Sequence, residues 1–114
     1  MAFMAYRRHA DGIRLFLDGN EANNGEIDWN FPVDVIFNEP GGVRFEGVTD
    51  IAALKRLSSL MVEFEKACAR ETEPDLAFQS MEYFATFLEA RTDSRELPPE
   101  PWRAAVRRQR AGRR

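Results

Sequence analysis

Alternating hydrophobic and polar positions in the first half of the chain predict β-strands. Ile13, Leu15 and Leu17 recur at every second position, which is the period of a half-buried strand. A helix is the alternative for residues 3–17, because apolar residues spaced by four, three and four from Tyr6 would share one helical face. We favour the strand.

The alternation returns over residues 27–37 and is interrupted by Pro32. Because proline donates no ladder hydrogen bond, this strand is expected to lie at a sheet edge or to carry a bulge there. A turn follows at residues 39–42, where proline fixes φ and two glycines permit positive φ. Since apolar alternation resumes at Val43, these signals predict a β-hairpin.

Residues 18–28 contain turn formers and carboxylates but almost no apolar side chain, so they predict an exposed loop. Counted from Asp18, the positions that an EF-hand would fill with Asp or Asn, Gly and Glu hold Ala22, Asn23 and Trp29. We therefore expect no calcium site. The loop's candidate partner-binding carboxylates are Asp18, Glu21, Glu26 and Asp28.

An amphipathic helix is predicted from Asp50 to about Ala69. Thr49 and Asp50 are both good N-caps, and Asp50 also places a negative charge at the positive end of the helix dipole. The expected buried face consists of residues spaced by three and four: Leu54, Leu57, Met61, Phe64 and Cys68.

A second helix is predicted over residues 72–91, with Thr72 as its N-cap and Pro74 in its first turn. Its apolar residues exceed what one stripe needs. Such a helix must be covered on two sides, either by the first helix and the sheet or by a second protein. We therefore predict a homodimer or docking face here, with Tyr83 and Phe87 as contact residues.

The C-terminal part of the chain changes composition. Residues 92–101 are charged and rich in proline, which predicts an extended linker. In residues 102–114, arginines recur at helical spacing, and so short a helix is expected to order only when docked. The candidate partner-binding residues of this basic tail are Trp102, Arg103, Arg107, Arg110 and Arg114.

Charge is strongly segregated along the chain. The first hundred residues hold ten Lys and Arg against nineteen Asp and Glu, a net charge of −9, whereas the last fourteen hold six Arg and no acid. A basic tail on an acidic body must find a negative surface. That surface could belong to the body itself, a second copy, a partner protein or a nucleic acid.

No catalytic constellation is visible. His9 has Asp11 close by but no nucleophile with a local signature, so it is interpreted as a turn residue. Cys68 lies on the apolar stripe of the first helix and is interpreted as a buried thiol. With one His and one Cys, a zinc site within one chain is not expected. The sequence thus predicts a protein that is not an enzyme and has no cofactor and no metal.

The compartment follows from weaker signals. The single cysteine cannot form an internal disulfide, the N-terminus lacks the order of a secretory signal, and no apolar run approaches the roughly twenty residues that span a bilayer. These features predict a cytoplasmic protein with no membrane partner.

Together the patterns predict one α+β domain over residues 1–91: an antiparallel sheet of three or four strands covered on one face by two C-terminal helices, plus a basic C-terminal extension. The predicted function is protein–protein interaction, of the inhibitor or adaptor type found among bacterial and phage accessory proteins. That analogy rests on size and charge. The alternative is a nucleic-acid-associated protein whose C-terminal arginines bind the phosphate backbone.

Overall fold

The computed structural model describes residues 4–21, 27–39, 42–48 and 50–99. The described elements are strands β1 (Met4–Arg8), β2 (Gly12–Glu21), β3 (Ile27–Glu39) and β4 (Gly42–Glu46), helices α1 (Ile51–Cys68), α2 (Pro74–Phe78) and α3 (Met81–Ala90), and strand β5 (Ser94–Glu96). The predicted α+β class is confirmed.

One sheet of five strands has the order β4-β3-β2-β1-β5. The first four strands are antiparallel neighbours, and β5 pairs with β1 in parallel. The predicted antiparallel sheet of three or four strands is confirmed in part: four strands are antiparallel neighbours, and a fifth, parallel strand was not predicted. This fifth strand is β5, whose three residues Ser-Arg-Glu have no apolar alternation that would predict a strand.

Residues 12–17 form a strand, as favoured from the sequence. Ile13 pairs with Val35 and Leu15 with Val33, and all four side chains are buried on the helix-covered side of the sheet. Tyr6, opposite Leu15 in β1, extends this buried row across a third strand. The alternation thus places every second side chain in the core.

The loop predicted over residues 18–28 is shorter than expected, because β2 continues to Glu21 and β3 begins at Ile27. Gly19 lies opposite Trp29 in this extension. A Cβ atom on Gly19 would lie 2.7 Å from the Trp29 indole, so glycine leaves room for the ring. Residues 22–26 lie outside the described residues.

Pro32 lies at a local edge of the sheet, which is one of the two positions predicted for it. It pairs with Phe16 on the β2 side, whereas the pairing of β3 with β4 begins only at Asp34. Within the described chain, the β4 side of Pro32 therefore has no strand partner, which suits a residue without an N–H. The β3–β4 hairpin is also confirmed, with Glu39 opposite Gly42, whose φ of 115° favours glycine.

Helix α1 begins where the cap predicted it. The Asp50 carboxylate accepts a hydrogen bond from the Ala53 N–H at 2.8 Å. The buried face is rotated relative to the prediction, because Leu54 is 50% exposed. The residues that are buried on α1 are Ala53, Leu57, Leu60, Phe64 and Cys68.

The single helix predicted over residues 72–91 is two helices. Helix α2 ends at Phe78, and Ser80 caps α3 by accepting a hydrogen bond from the Tyr83 N–H at 3.1 Å. Thr72 does not cap α2, whose N-cap residue Glu73 makes no side-chain capping bond. The break follows from Ser80, since a hydroxyl that bonds a nearby backbone N–H competes with helix continuation.

Phe64 is the centre of an aromatic cluster that joins the three helices. Its ring centroid lies 4.7 Å from that of Phe84, 5.2 Å from Phe87, 5.5 Å from Phe78 and 6.0 Å from Tyr83. The surplus apolar surface noted in the second helix is thus packed, in large part, within the protein's own core.

Residues 93–97 are attached to the sheet, although they were predicted as linker. The Met4 N–H donates to the Asp93 carbonyl at 2.9 Å, and the Leu97 N–H donates to the Tyr6 carbonyl at 2.8 Å. Arg91 pairs with Asp93 and with Glu63 of α1. These bonds tie the segment after α3 to both layers of the fold.

Candidate functional site

Asp18, predicted as an exposed loop carboxylate, lies in β2 and is engaged with α1. Its side chain is 15% exposed, and Oδ2 lies 3.0 Å from Nη1 of Arg56. The same Arg56 nitrogen donates to the Leu17 carbonyl at 3.1 Å. Asp18 therefore has an intramolecular partner, and its role in binding another protein stays a prediction.

The other loop carboxylates are not assembled into one described site. Glu21 is the last residue of β2, and Asp28 lies in β3, exposed and opposite Asn20. Glu26 lies outside the described residues. Asp28 is thus the predicted loop carboxylate that the structure places on the surface.

Tyr83 and Phe87, predicted at a dimer or docking face, are partly buried against Phe64. The Tyr83 hydroxyl has two acceptors within reach of its single proton, Glu71 Oε1 at 2.8 Å and the Ala67 carbonyl at 3.1 Å. The bond to the Glu71 carboxylate raises the pKa of the Tyr83 phenol, because it stabilises the protonated form. Both side chains thus have a place in the fold, and their role in dimerisation stays a prediction.

Trp102, Arg103, Arg107, Arg110 and Arg114 all lie outside the described residues.

An acidic surface lies where α1 meets α2. Over residues 63–89 the chain has seven Asp and Glu but only two Lys and Arg. We define the acidic helix end as the four exposed carboxylates Glu65, Glu71, Glu73 and Asp75. They come from the last turn of α1, the connecting turn and the first turn of α2. The negative charges are therefore concentrated at one end of the helical layer.

A groove of about 270 Å³ crosses this acidic helix end. Cys68 and Phe78 supply apolar lining, and Glu65 and Asp75 supply carboxylates. Leu76, in the same turn as Asp75, is 59% exposed. A concave surface with apolar walls and acidic edges can hold a side chain that has an aliphatic stem and a positive end.

The sheet face opposite the helices has the opposite character. The strand registers place Arg7, Arg14, Arg44 and Arg95 on it, and we call these four residues the arginine face. Arg7 and Arg14 are direct neighbours on paired strands. The Arg7 guanidinium also lies 5.9 Å from the ring centroid of Phe16. Like charges directly opposite each other repel in a sheet, and Arg14 has a carboxylate partner that balances its charge.

Asp34 and Glu46 form ion pairs with residues of the arginine face. Arg14 forms a two-pronged pair with Asp34, with its Nε 2.8 Å from Oδ1 and its Nη2 3.0 Å from Oδ2. This pair holds the pKa of the Asp34 carboxyl below its usual value. Arg44 lies 3.2 Å from Glu46 in the same strand.

The groups considered for catalysis lie in structural positions. His9 is in the turn between β1 and β2, as predicted. Its backbone N–H donates to the Gly12 carbonyl at 2.8 Å. Cys68 is a buried free cysteine, and burial raises the pKa of its thiol, so the reactive thiolate is disfavoured at neutral pH. In residues 4–21, 27–39, 42–48 and 50–99, no three His, Cys, Asp or Glu are grouped for metal binding.

Comparison with protein-family models, with curated proteins and with solved structures finds no match for this chain. None of the three described helices is long and apolar enough to cross a membrane.

Two features of the surface were missed in the sequence. The density of Glu and Asp over residues 63–75 is visible in the printed chain, but the groove requires the junction of α1 and α2. The arginine face could not be predicted from the sequence, because its four residues come from four different strands and share a face only through strand register.

Proposed function

We propose that this protein is a small non-enzymatic protein–protein interaction module of the inhibitor or adaptor type, which binds a basic segment of a partner protein at the acidic helix end. The observation that carries the proposal is the groove between α1 and α2, which combines apolar walls with exposed carboxylates. Arginine or lysine side chains fit such a groove because their methylene stems can contact apolar atoms while their charged ends reach carboxylates.

The negative charge of this surface supports recognition of a basic partner. Glu65, Glu73 and Asp75 have no ion pair within the part of the chain that the structure describes. Carboxylates that form no ion pair with the described residues contribute a negative potential that steers a basic partner during encounter and selects against acidic ones.

Apolar side chains beside the groove support a protein partner rather than an isolated cation. Leu76 is 59% exposed on α2, and Cys68, Ala69 and Phe78 line the groove. Protein interfaces typically surround an apolar centre with polar and charged residues, and this arrangement has that form.

The test is capture of partners from a lysate of the native host with tagged wild-type protein and with the Glu73→Lys/Asp75→Lys variant. We expect a specific basic protein to be retained by the wild type and lost with the variant. That protein, once identified and purified, should bind the wild type in a two-component titration calorimetry experiment.

The matched control is Asp11→Lys/Glu89→Lys, which makes the same change of charge at two exposed carboxylates that do not line the groove. The control should keep the partner. If the control loses it and the groove variant keeps it, the binding surface is elsewhere and the proposal is wrong.

A second candidate function is association with a nucleic acid. Two observations favour it: residues 101–114 contain six arginines and no acid, and four more arginines occupy the arginine face beside Phe16. Arginine binds phosphate oxygens through its planar fork, and an aromatic ring on a sheet can stack with an unpaired base.

Deletion of residues 101–114 tests this second candidate. If the tail binds phosphates, retention on single-stranded DNA or RNA should fall steeply with salt in the full-length protein and disappear after deletion. A log–log salt slope of about −4 would correspond to six contacts on a single strand. Retention that survives the deletion would exclude the tail as the binding element.

A further inference from the structure

Strand β4 forms one edge of the sheet, and its outer side is exposed. Beyond β4 no further strand is present in the described chain. The four residues Arg44, Phe45, Glu46 and Gly47 are all exposed, and Phe45 is 37% exposed although it lies on the helix-covered side, opposite Val35. An exposed edge strand offers its outward backbone N–H and C=O groups to another strand.

The sequence of β4 is complementary to itself when two copies run antiparallel. If Phe45 of one copy lies opposite Phe45 of the other, Arg44 of each copy lies opposite Glu46 of the other. Both charged side chains are on the arginine face and are 51% and 52% exposed, and within one chain they form an ion pair at 3.2 Å that the contacts between copies would extend. The pairing therefore creates two opposite-charge contacts on one face and an aromatic contact on the other face.

The backbone permits this register. In an antiparallel pair, residues directly opposite each other alternate between hydrogen-bonded and non-bonded positions. If a two-fold axis passes between the two Phe45 residues, Phe45 can occupy either a hydrogen-bonded or a non-bonded position. The pairs on the two sides of the axis are then equivalent by symmetry.

The opposite edge of the sheet is less suited to the same pairing. Strand β5 has three residues, and Pro98 and Pro99 follow closely after it. Because proline has no backbone N–H, this edge cannot extend a ladder beyond Leu97.

From these observations we propose that two copies of this chain pair through β4, antiparallel and centred on Phe45, to form one continuous ten-stranded sheet. This dimer differs from the one predicted through Tyr83 and Phe87, whose side chains contact Phe64 within the same chain. It does not depend on the proposed function, because the acidic helix end lies on different elements.

A charge swap at β4 tests the dimer. Sedimentation velocity is measured up to about 1 mM for the wild type, for Arg44→Glu, for Glu46→Arg and for the double variant Arg44→Glu/Glu46→Arg. Each single change places like charges opposite each other twice in the symmetric dimer. We expect each to raise the dissociation constant by about fivefold or more, and the double variant to restore it.

Two controls separate the interface from general effects. Lys66→Glu changes an exposed charge on α1 and should leave the dissociation constant unchanged. Circular dichroism melts of all variants show whether each still folds. Because Arg44 and Glu46 also form an ion pair within one chain, a rise in the dissociation constant counts as loss of the interface only where the variant keeps the wild-type melting temperature.

Two results would overturn the proposal. One is a wild type that stays monomeric over the whole concentration range. The other is a dimer that is indifferent to all three β4 variants.

Discussion

The Phe64 cluster and the acidic helix end occupy neighbouring positions on α1 but are built in opposite ways. Phe64 is fully buried and contacts aromatic rings of both later helices, whereas Glu65, the next residue, is exposed at the groove. The aromatic partners of Phe64 all belong to the same chain. The acidic helix end combines apolar atoms and carboxylates that the fold leaves at the surface, which is the pattern of a binding surface.

The largest expected effect on stability comes from removing the Phe64 ring from its aromatic cluster. Phe64→Ala should lower the free energy of unfolding by about 3–5 kcal/mol, because it removes a large buried side chain and leaves a cavity among four rings. Urea denaturation followed by circular dichroism measures the change.

Leu54→Ala is the matched control on the same helix. Leu54 is 50% exposed, so the loss should stay below about 1 kcal/mol. Equal losses at Leu54 and Phe64 would contradict the observed orientation of α1 and would favour the helix face that the sequence predicted.

A smaller effect is expected at the break between α2 and α3. Ser80→Ala should destabilise the protein by about 1 kcal/mol, because it removes the cap of α3. If residues 72–91 were one helix, the same change would be neutral or stabilising, since alanine is the better interior helix residue. The sign of the change in thermal midpoint therefore distinguishes two helices from one.

At the acidic helix end we expect the Glu71→Gln variant to change the pH at which the Tyr83 phenol ionises, with little change in the free energy of unfolding. The protein has two tyrosines, and the pKa values of both phenols are raised above the ordinary value, that of Tyr83 chiefly by its bond to Glu71. Glu71→Gln removes the charged acceptor, so the Tyr83 phenol should ionise at lower pH. Absorbance at alkaline pH follows this step, and Tyr83→Phe assigns it.

The hydrogen bond between Tyr83 and Glu71 contributes to stability only while the Tyr83 phenol is protonated. With a raised pKa in the folded state, the bond of Tyr83 contributes at pH values below about 10 and is lost as pH rises through the folded pKa. An ionisation of Tyr83 that is the same in wild type and in Glu71→Gln would contradict the hydrogen bond between these two side chains.

The elements that the sequence predicted well are those with local signals. The β3–β4 hairpin follows from alternation on both sides of a Pro-Gly-Gly turn, and α1 begins at the Asp50 cap. The rotation of α1 was not predictable in this way, because Ala53, Leu54 and Leu60 are all apolar and only packing against the sheet selects among them.

Features that depend on distant contacts were missed. Strand β5 exists because the backbone of residues 93–97 bonds to β1, and its own side chains do not indicate a strand. The end of β2 appeared to be loop because residues 18–21 are polar and glycine-containing, whereas pairing with Ile27–Asn30 and the Trp29 ring over Gly19 keep it extended. In both cases tertiary pairing outweighed local composition.

The most direct test of the acidic helix end as a binding surface is a nuclear magnetic resonance titration of the full chain with a short peptide of alternating lysine and leucine. The account predicts amide shift changes concentrated in residues 65–79 of the wild type and largely lost in Glu73→Lys/Asp75→Lys. Shift changes that concentrate on another surface, or that are the same in this variant as in the wild type, would contradict it.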